Sequence, residues 1–445
     1  MCEKDMKLQC KFIYKAYSNR KQEYDLDRTK FDFNKINICN KYKINYKELL
    51  NSIAKYIIDE SIIYNNKCER YRIWIGTTFN EDEKGYTDIN YVGQDLYAGQ
   101  AGIALFLMYY GKISKNKSYY IYAKEALTPC IKFIENVDME HPFTVGAFAG
   151  IGGRFYAIYN LYNITKDNSL KNCILKYLEL FKNIIEKDKL YDIVSGTSGL
   201  LHILLSLLKI CDEKEILDNL LICIDKCEKH LTSNIKLIDK KYMTWNMSFE
   251  EQEKTYTGFG HGNSGIISAL ARYSKLFNKD ESEIIEKVLN YEDSLFDEKS
   301  NNWFRDCDRD MISLGWCHGA PGILLNKLIL IENGLGDLVD KEKLKIAIDT
   351  TIRKSFGNNP SFCHGDLGNL EIIYLASKIL NNKILEKKSE AGFKWIIENV
   401  IKNRWKGSSY RGTDNFGLMI GISGFGYSIM KFNNFDEIPS ILYFS

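Results

Sequence analysis

The chain has 445 residues and an almost even charge balance, with 60 Lys and Arg against 58 Asp and Glu and a formal net charge of +2. This balance excludes electrostatic attraction to nucleic acid or to an anionic membrane as the main mode of binding. With 45% hydrophobic and 13% aromatic residues, the composition is that of a globular protein with a large core and not of a disordered chain.

The N-terminal segment and the cysteine pattern predict the cellular setting. Charges interrupt the opening sequence MCEKDMKLQCKF, which therefore lacks the apolar core of a secretory signal. No apolar run reaches the roughly 18 residues that a membrane-spanning helix needs. The 12 cysteines lack the close, regular spacing of a disulfide framework. We therefore expect a soluble, cytoplasmic protein without a transmembrane segment, whose thiols are mostly reduced.

The chain divides into an extension and one long domain. Residues 1–45 are mildly basic and match no later pattern, so we interpret them as an N-terminal extension that precedes a domain over 46–445. Residues 46–63 and 118–137 show the apolar spacing of amphipathic helices. An unusually long interval before residue 262 is rich in β-branched and aromatic residues, which predicts an inserted lobe or hairpin at about 233–256.

A Gly-x-x-Gly element recurs along the domain, each time with an amphipathic segment before it and an apolar segment after it. Its seven first glycines are Gly99, Gly150, Gly196, Gly262, Gly319, Gly365 and Gly421, which lie 51, 46, 66, 57, 46 and 56 residues apart. A helix that is apolar on every face is buried on every face, so each unit predicts an outer helix followed by a buried inner helix. Such hairpins can form an open solenoid or a closed ring. The apolar inner helices favour the ring, an all-α α/α toroid of seven helical hairpins.

The two residues before each first glycine, which we call positions −2 and −1, concentrate the reactive side chains. Position −1 holds Ala98, Ala149, Ser195, His261, His318, His364 and Ile420 in chain order. Position −2 holds Tyr97, Phe148, Val194, Gly260, Cys317, Cys363 and Met419. Equivalent positions of consecutive repeats are neighbours at one end of a ring, so we expect these histidines and cysteines to lie close together.

Cysteines at position −2 point to a metal site. Cys317, Cys363 and one of the histidines that follow them, His318 or His364, can meet around one ion. Two cysteines, one histidine and an open fourth position are typical of catalytic zinc, whereas structural zinc usually has four protein ligands. The N-termini of the inner helices would favour thiolates here. The alternative is a set of buried free thiols and capping histidines.

A second group of metal-ligand residues has a simpler interpretation. Cys223, Cys227 and His230 share one face of a predicted outer helix, and nothing in their spacing relates them to the glycine elements. We interpret them as core-facing residues.

Acid–base chemistry has its own candidates. His261 lies one repeat before the first position −2 cysteine, and Asp192 lies one repeat earlier again. A carboxylate beside a histidine can hold its tautomer and raise its pKa, as general acid–base catalysis requires. The alternative for Asp192 is a solvated loop residue.

Together these motifs resemble the lanthionine synthetase C-like cyclases, and most closely the C-terminal cyclase domain of the bifunctional class II lanthipeptide synthetases. The resemblance covers roughly residue 46 to the end of the chain. The motifs that carry it are GWCHGAPGI (315–323), FCHGDLGNLE (362–371), TGFGHGNSGI (257–266) and DLYAGQAGIALFL (95–107).

The resemblance implies an α/α toroid that holds one zinc ion per chain at its mouth. The site residues that it implies are Cys317, Cys363 and His364 as zinc ligands, His261 and Asp192 as the acid–base pair, and Trp316 in the wall. The implied reaction adds cysteine thiols of a dehydrated precursor peptide to dehydroalanine or dehydrobutyrine, which forms (methyl)lanthionine thioether rings. We expect the dehydration to come from a separate dehydratase polypeptide or domain, because this chain has no room for one.

One position departs from the family pattern, and other functions compete with the cyclase. Some relatives have an arginine a few residues before the tryptophan, whereas Ser313 stands three residues before Trp316 and the nearest arginine is Arg309. The main alternative is a zinc- and glutathione-binding toroid without cyclase activity. A prenyltransferase-like toroid needs a basic pocket and a toroid glycosidase needs paired carboxylates, and the sequence shows neither pattern.

Overall fold

The computed structural model describes residues 44–65, 69–79, 87–137, 143–249, 252–403 and 415–445, together with residues 6, 9, 10 and 13. The predicted extension over 1–45 lies almost entirely outside the described residues. From residue 44 onward, the described chain contains the helices α1 (Tyr46–Asp59), α2 (Gln100–Ser114), α3 (Ser118–Asn136), α4 (Ile151–Thr165), α5 (Lys171–Ile184), α6 (Thr197–Leu208), α7 (Lys214–Ser233), α8 (Asn263–Phe277), α9 (Ser282–Ser294), α10 (Ala320–Glu332), α11 (Lys341–Lys354), α12 (Asp366–Ile379), α13 (Lys383–Asn403) and α14 (Ile422–Asn433).

Inner and outer helices alternate along the chain, as the glycine pattern predicts. The first glycine of every element is the N-cap of an inner helix, namely α2, α4, α6, α8, α10, α12 or α14. The inner helix α2 buries every residue over 100–111. In contrast, the outer helix α1 is amphipathic and buries one face, formed by Leu50, Ile53, Ala54 and Ile57.

The helices form a closed double ring. Each inner helix contacts the next inner helix along the chain, and α14 contacts α2. Each inner helix also packs against the outer helix that follows it, and α14 packs against α1. The first and last repeats are therefore neighbours, and the predicted α/α toroid is confirmed over the open solenoid.

The loops that precede the inner helices are joined by a ring of backbone hydrogen bonds. In every repeat the carbonyl at position −2 accepts an N–H from the loop of the preceding repeat. The N–H···O distances are 2.8–3.2 Å. Each donor N–H and its acceptor carbonyl are Leu96 to Phe148, Phe148 to Val194, Val194 to Gly260, Gly260 to Cys317, Trp316 to Cys363, Cys363 to Met419, and Met419 to Tyr97. This loop ring holds all seven position −2 residues at the same end of the toroid.

Short antiparallel strand pairs extend from the toroid. They are β1 (Ile62–Asn65) with β2 (Arg70–Ile73), β3 (Ile75–Phe79) with β4 (Thr87–Tyr91), β5 (Lys236–Leu237) with β6 (Met243–Thr244), β7 (Met247–Phe249) with β8 (Gln252–Lys254), and β9 (Phe296–Asp297) with β10 (Asn302–Trp303). Two of the pairs fall within 233–256, where the sequence predicts an insertion. Helix α1 ends before the predicted residue 63 because Ile62 and Ile63 pair with β2 instead.

The cysteine and transmembrane predictions can be compared with the described residues. The described cysteines, at positions 10, 130, 173, 211, 223, 227, 307, 317 and 363, are all free thiols. Within the described ranges, no helix combines the length and the apolar character needed to cross a membrane.

Glycines allow the loops of the ring to approach one another. A Cβ added to Gly153 would lie 2.2 Å from the carbonyl oxygen of Ala147 and 2.6 Å from the Cβ of Leu96 in the preceding repeat. Contacts this short force the loops apart, because real Cβ atoms do not approach other heavy atoms so closely.

We predict that Gly153→Ala lowers the free energy of unfolding by about 1–3 kcal/mol, since an added methyl group overpacks the loop ring. The control is Gly336→Ala, because a Cβ at Gly336 would meet its nearest heavy atom at 3.6 Å, an ordinary contact. Urea denaturation of both variants checks the prediction. Equal stability of the two variants would show that close loop packing is not what requires glycine at residue 153.

Candidate active site

Two cysteine thiols meet at the mouth of the toroid. Cys317 and Cys363 occupy position −2 of consecutive repeats, and their side chains are hydrogen-bonded to each other. Cys363 is 4% exposed, whereas Cys317 is half-buried. The loop ring accounts for this proximity, because the carbonyl of Cys363 accepts the N–H of Trp316, directly before Cys317, at 3.0 Å.

The shared hydrogen bond moves the two thiol pKa values in opposite directions. The hydrogen bond with Cys363, helped by the charge of His261, lowers the pKa of Cys317 to about 7, although burial opposes the shift. The same hydrogen bond and burial raise the pKa of Cys363 well above its usual value. Cys317 therefore gives up its proton more readily than Cys363.

His261 and Asp192 form a hydrogen-bonded pair beside the thiols. The Nδ1 atom of His261 lies 2.8 Å from Oδ2 of Asp192, whose side chain is fully buried. The other carboxylate oxygen accepts the N–H groups of Ser195 and Gly196 at 2.7 and 2.8 Å. Asp192 is thus a fixed, fully engaged carboxylate and not a solvated loop residue.

This pairing sets the protonation behaviour of His261. Burial alone lowers the pKa of His261, but the hydrogen bond and the negative charge of Asp192 outweigh burial, so the pKa is raised above its usual value. The hydrogen bond to the carboxylate also places a proton on Nδ1, which leaves Nε2 as the nitrogen for proton exchange.

The histidines that follow the two cysteines have different surroundings. His318 donates its Nδ1–H to the carbonyl of Thr257 at 2.9 Å, and its ring stacks on His261 with 5.3 Å between centroids. Burial and the charge of His261 lower the pKa of His318 to about 3, so this ring is neutral. His364 is exposed at the mouth, with its backbone packed against Gly315.

The donor atoms are only partly assembled for a metal ion. Among the residues that the structure describes, no three His, Cys, Asp or Glu side chains form a group that could hold a metal. The two thiols of Cys317 and Cys363 are in contact, but the structure does not bring His364 into one cluster with them. The assignment of His364 as third ligand stays a prediction.

Trp316, directly before Cys317 in the chain, belongs to a buried aromatic cluster. Its side chain is fully buried and donates its Nε1–H to the carbonyl of Leu442 at 3.1 Å. The indole packs edge-on against Phe148, with 5.2 Å between ring centroids, and lies near Phe259. The family resemblance implies Trp316 in the wall of the site, and in the structure its side chain is buried among other aromatic rings.

A segment near the end of the chain packs against this aromatic cluster. Over residues 438–444 every side chain for which the burial is given is at most 8% exposed, except Pro439, and the ring of Phe444 packs against Phe148 and Tyr156. We call residues 438–444 the closing segment. The repeat pattern does not predict its position, because its partners lie on distant inner helices.

Arg272 anchors the closing segment from helix α8. Its guanidinium is buried and donates to the carbonyl oxygens of Tyr443 and Phe444 at 2.6 and 2.9 Å. It also lies 2.6 Å from Nδ1 of His202, whose Nε2 faces the carbonyl of Gly265 at 3.3 Å. His202, to which the sequence motifs assign no role, is therefore structural: it accepts from Arg272 and donates to Gly265.

Two further residues support the site, and sequence reasoning missed both. Tyr97 makes a side-chain hydrogen bond with Cys363, and its place at position −2 of the first repeat was a signal that could have found it. Glu292, on the outer helix α9, accepts from the N–H of Gly258 and the hydroxyl of Ser264 at 2.9 and 2.6 Å. Burial raises the pKa of Glu292 to about 7, and no motif marks this residue in the sequence.

The second group of metal-ligand residues lies in the core, as interpreted from its spacing. Cys223 and Cys227 are fully buried, and burial raises the pKa of both thiols. The Nε2 atom of His230 lies 2.9 Å from the carbonyl oxygen of Asp188, so the imidazole joins two structural elements.

The comparison with protein families decides the identity of this architecture. A family model described as lanthionine synthetase C-like protein matches residues 90–443, which include all seven glycine elements. The chain belongs to the lanthionine synthetase C-like family. The resemblance inferred from the sequence motifs is thereby confirmed.

Individual relatives of this lanthionine synthetase C-like chain are distant. It is 25% identical over 468 residues to the lacticin 481/lactococcin biosynthesis protein LcnDR2 of Lactococcus lactis subsp. lactis, which covers 97% of this chain and 45% of that protein. It is 25% identical over 376 residues to the nisin biosynthesis protein NisC of the same organism, across 76% of this chain and 85% of that protein. The chain thus spans less than half the length of the first relative.

A solved structure supports the fold. The nisin cyclase structure matches with a TM-score of 0.59 at 21% identity and covers 88% of this chain and 95% of that chain. At this level of identity the likeness concerns the toroid alone.

We predict that Arg272→Met lowers the free energy of unfolding by about 3 kcal/mol, because buried carbonyl oxygens of the closing segment lose their donor. The control Arg353→Met changes an exposed arginine of α11 and should stay within about 0.5 kcal/mol of wild type. Denaturant unfolding monitored by tryptophan fluorescence measures both. A wild-type midpoint for Arg272→Met would refute the anchoring role.

Proposed function

We propose that this chain is a zinc-dependent lanthipeptide cyclase, which closes thioether rings in a dehydrated precursor peptide. The observation that carries the proposal is the adjacent placement of two reactive pairs, Cys317 with Cys363 and His261 with Asp192, at the mouth of the toroid. Family membership supports it, as do relatives named for the biosynthesis of lacticin 481 and nisin.

The donor set fits zinc in its chemistry. Cys317 and Cys363 are hydrogen-bonded to each other, and the lowered pKa of Cys317 favours loss of its proton. We propose His364 as the third ligand, since it follows Cys363 directly and is exposed at the mouth. One zinc ion held by these three residues, with its fourth position open, would favour deprotonation of a substrate cysteine thiol at neutral pH.

His261 supplies the proton that the reaction requires. When a peptide thiolate adds to the β-carbon of dehydroalanine or dehydrobutyrine, a carbon–sulfur bond forms and the electrons of the double bond move into an enolate. We propose that Nε2 of His261 donates a proton to the α-carbon of this enolate and is later reprotonated by the proton released from the next thiol or from solvent. The raised pKa of His261 favours its protonated form, which this step needs.

Asp192 fixes the orientation of the acid. Because two backbone N–H groups hold one carboxylate oxygen, the other oxygen stays directed at Nδ1 of His261. The imidazole therefore presents Nε2 in one tautomer and one direction throughout the cycle.

A buried aromatic cluster adjoins the site. Trp316, directly before Cys317, packs with Phe148 and Phe259, and the closing segment packs against the same cluster. We propose that the peptide enters from the mouth and that its thiol and its dehydro-residue are held together near the reactive side chains, which lowers the entropic cost of ring closure. We propose that the dehydrated peptide is supplied by a dehydratase in another polypeptide or domain.

We predict about one zinc per chain in the wild-type protein and loss of that zinc in Cys363→Ala, because two remaining ligands hold zinc poorly. The matched control is Cys227→Ala, which removes a buried cysteine of the core. Elemental analysis after dialysis measures the zinc content. Equal zinc in wild type and Cys363→Ala would refute the site, and absence of zinc in folded wild type would refute zinc dependence.

We predict that Asp192→Asn slows ring formation by about 100-fold to 10,000-fold while the zinc content stays unchanged, because the amide no longer holds His261 in the required tautomer. The assay incubates a dehydrated precursor peptide with the protein and counts free thiols by alkylation and mass spectrometry. Ring closure protects thiols from alkylation without changing the mass of the peptide.

The control for this variant is Asp188→Asn on the same loop. Asp188 is a structural carboxylate that accepts from the N–H and hydroxyl of Thr197 at 2.7 and 2.6 Å. The Asp188→Asn variant should form rings at the wild-type rate at a temperature where it remains folded. Rapid ring formation by Asp192→Asn would exclude the acid–base role, and zinc binding without any ring formation by wild type would favour the glutathione-binding alternative.

A further inference from the structure

A tyrosine contacts the thiol pair from the first repeat. Tyr97 occupies the same position −2 as Cys317 and Cys363, and closure of the ring brings the first repeat near the sixth. The side chain of Tyr97 is hydrogen-bonded to the sulfur of Cys363.

Backbone hydrogen bonds hold Tyr97 in register with Cys363 through the repeat that lies between them. The N–H of Cys363 donates to the carbonyl of Met419 at 3.1 Å, and the N–H of Met419 donates to the carbonyl of Tyr97 at 2.8 Å. The Tyr97 ring also packs edge-on against Phe148, with 6.4 Å between centroids. The hydroxyl is therefore presented to the sulfur by a rigid frame.

We propose that Tyr97 is a positioning residue of the thiol site, whose hydroxyl donates a hydrogen bond to the sulfur of Cys363 and keeps that sulfur directed toward Cys317 and the metal. The inference rests on the proposed function, because it assigns the hydroxyl to thiolates that hold zinc. A thiolate at a site as buried as that of Cys363 gains from a neutral donor, which satisfies a sulfur lone pair without adding charge.

The toroid itself does not need this hydroxyl. Position −2 holds Phe148, Val194, Gly260 and Met419 in other repeats, and each of them joins the loop ring by backbone hydrogen bonds without a hydroxyl group. A phenylalanine at residue 97 would keep the ring packing against Phe148. The oxygen atom of Tyr97 is therefore the part of the side chain that a purely structural role leaves unexplained.

The test compares Tyr97→Phe with wild type by cobalt(II) binding to the metal-free, full-length chain. Cobalt bound by thiolates has a sulfur-to-metal charge-transfer absorption, which reports the ligand set directly, and competition with a chelator gives the affinity. We expect Tyr97→Phe to bind cobalt about 10-fold to 100-fold more weakly, as loss of a hydrogen bond to a ligand typically does, and to shift the charge-transfer band.

The matched control is Tyr109→Phe, on helix α2. It removes another buried tyrosine hydroxyl, one that donates to Asn160 at 2.8 Å, and should leave cobalt affinity and absorption as in wild type. Circular dichroism and thermal unfolding of each variant establish that it is folded.

The outcomes separate the two claims. Wild-type cobalt affinity and absorption in folded Tyr97→Phe would overturn the inference while leaving the zinc site intact. Failure of folded wild type to bind cobalt, or binding that survives Cys363→Ala, would overturn the proposed zinc site and the role of Tyr97 with it. Equal weakening in Tyr97→Phe and Tyr109→Phe would also overturn the role of Tyr97, because the effect would then be one of general stability.

Discussion

The loop ring is the constraint on which the site depends. Each repeat contributes one carbonyl at position −2 and receives one N–H from its neighbour, so residues that are roughly 50 positions apart in sequence become neighbours in space. Glycines at the start of each inner helix permit the close approach that these hydrogen bonds require, as the contacts of Gly153 illustrate. Reactive side chains come together where neighbouring repeats carry them at position −2, as with Cys317 and Cys363.

The frame also couples the two reactive pairs electrostatically. Around the ring, the loop that contains Gly260 and His261 lies between the loop of Asp192 and the loop of Cys317. Asp192 raises the pKa of His261, and the resulting positive charge helps to lower the pKa of Cys317. The Asp192 carboxylate, the His261 imidazole and the Cys317 thiol thus form a chain of favourable electrostatic interactions along three repeats. Each charge stabilises the next, which is how a largely buried site can hold ionised groups at all.

The sequence predicts those features that repeat, and it misses those that depend on one-time contacts. Periodic glycines and apolar segments indicate the helices and the closed ring, and the alignment of the repeats at position −2 is enough to predict that Cys317 and Cys363 lie together. The closing segment, anchored by Arg272, has no counterpart in other repeats, so no periodicity could indicate it. Glu292 supports the His261 loop from an outer helix, where a carboxylate is usually solvated surface. The pairing of Asp192 with a histidine was predicted, but its burial was not.

The closing segment packs beside the site without belonging to any repeat. Trp316, directly before Cys317, donates to the carbonyl of Leu442, and Arg272 fixes the same segment two residues further along. The buried surroundings of Trp316 are therefore not a property of the repeats alone. A repeated frame sets where the reactive groups stand, and a single non-repeated segment packs against the tryptophan that precedes one of them. The ring closure that we propose would therefore depend on both.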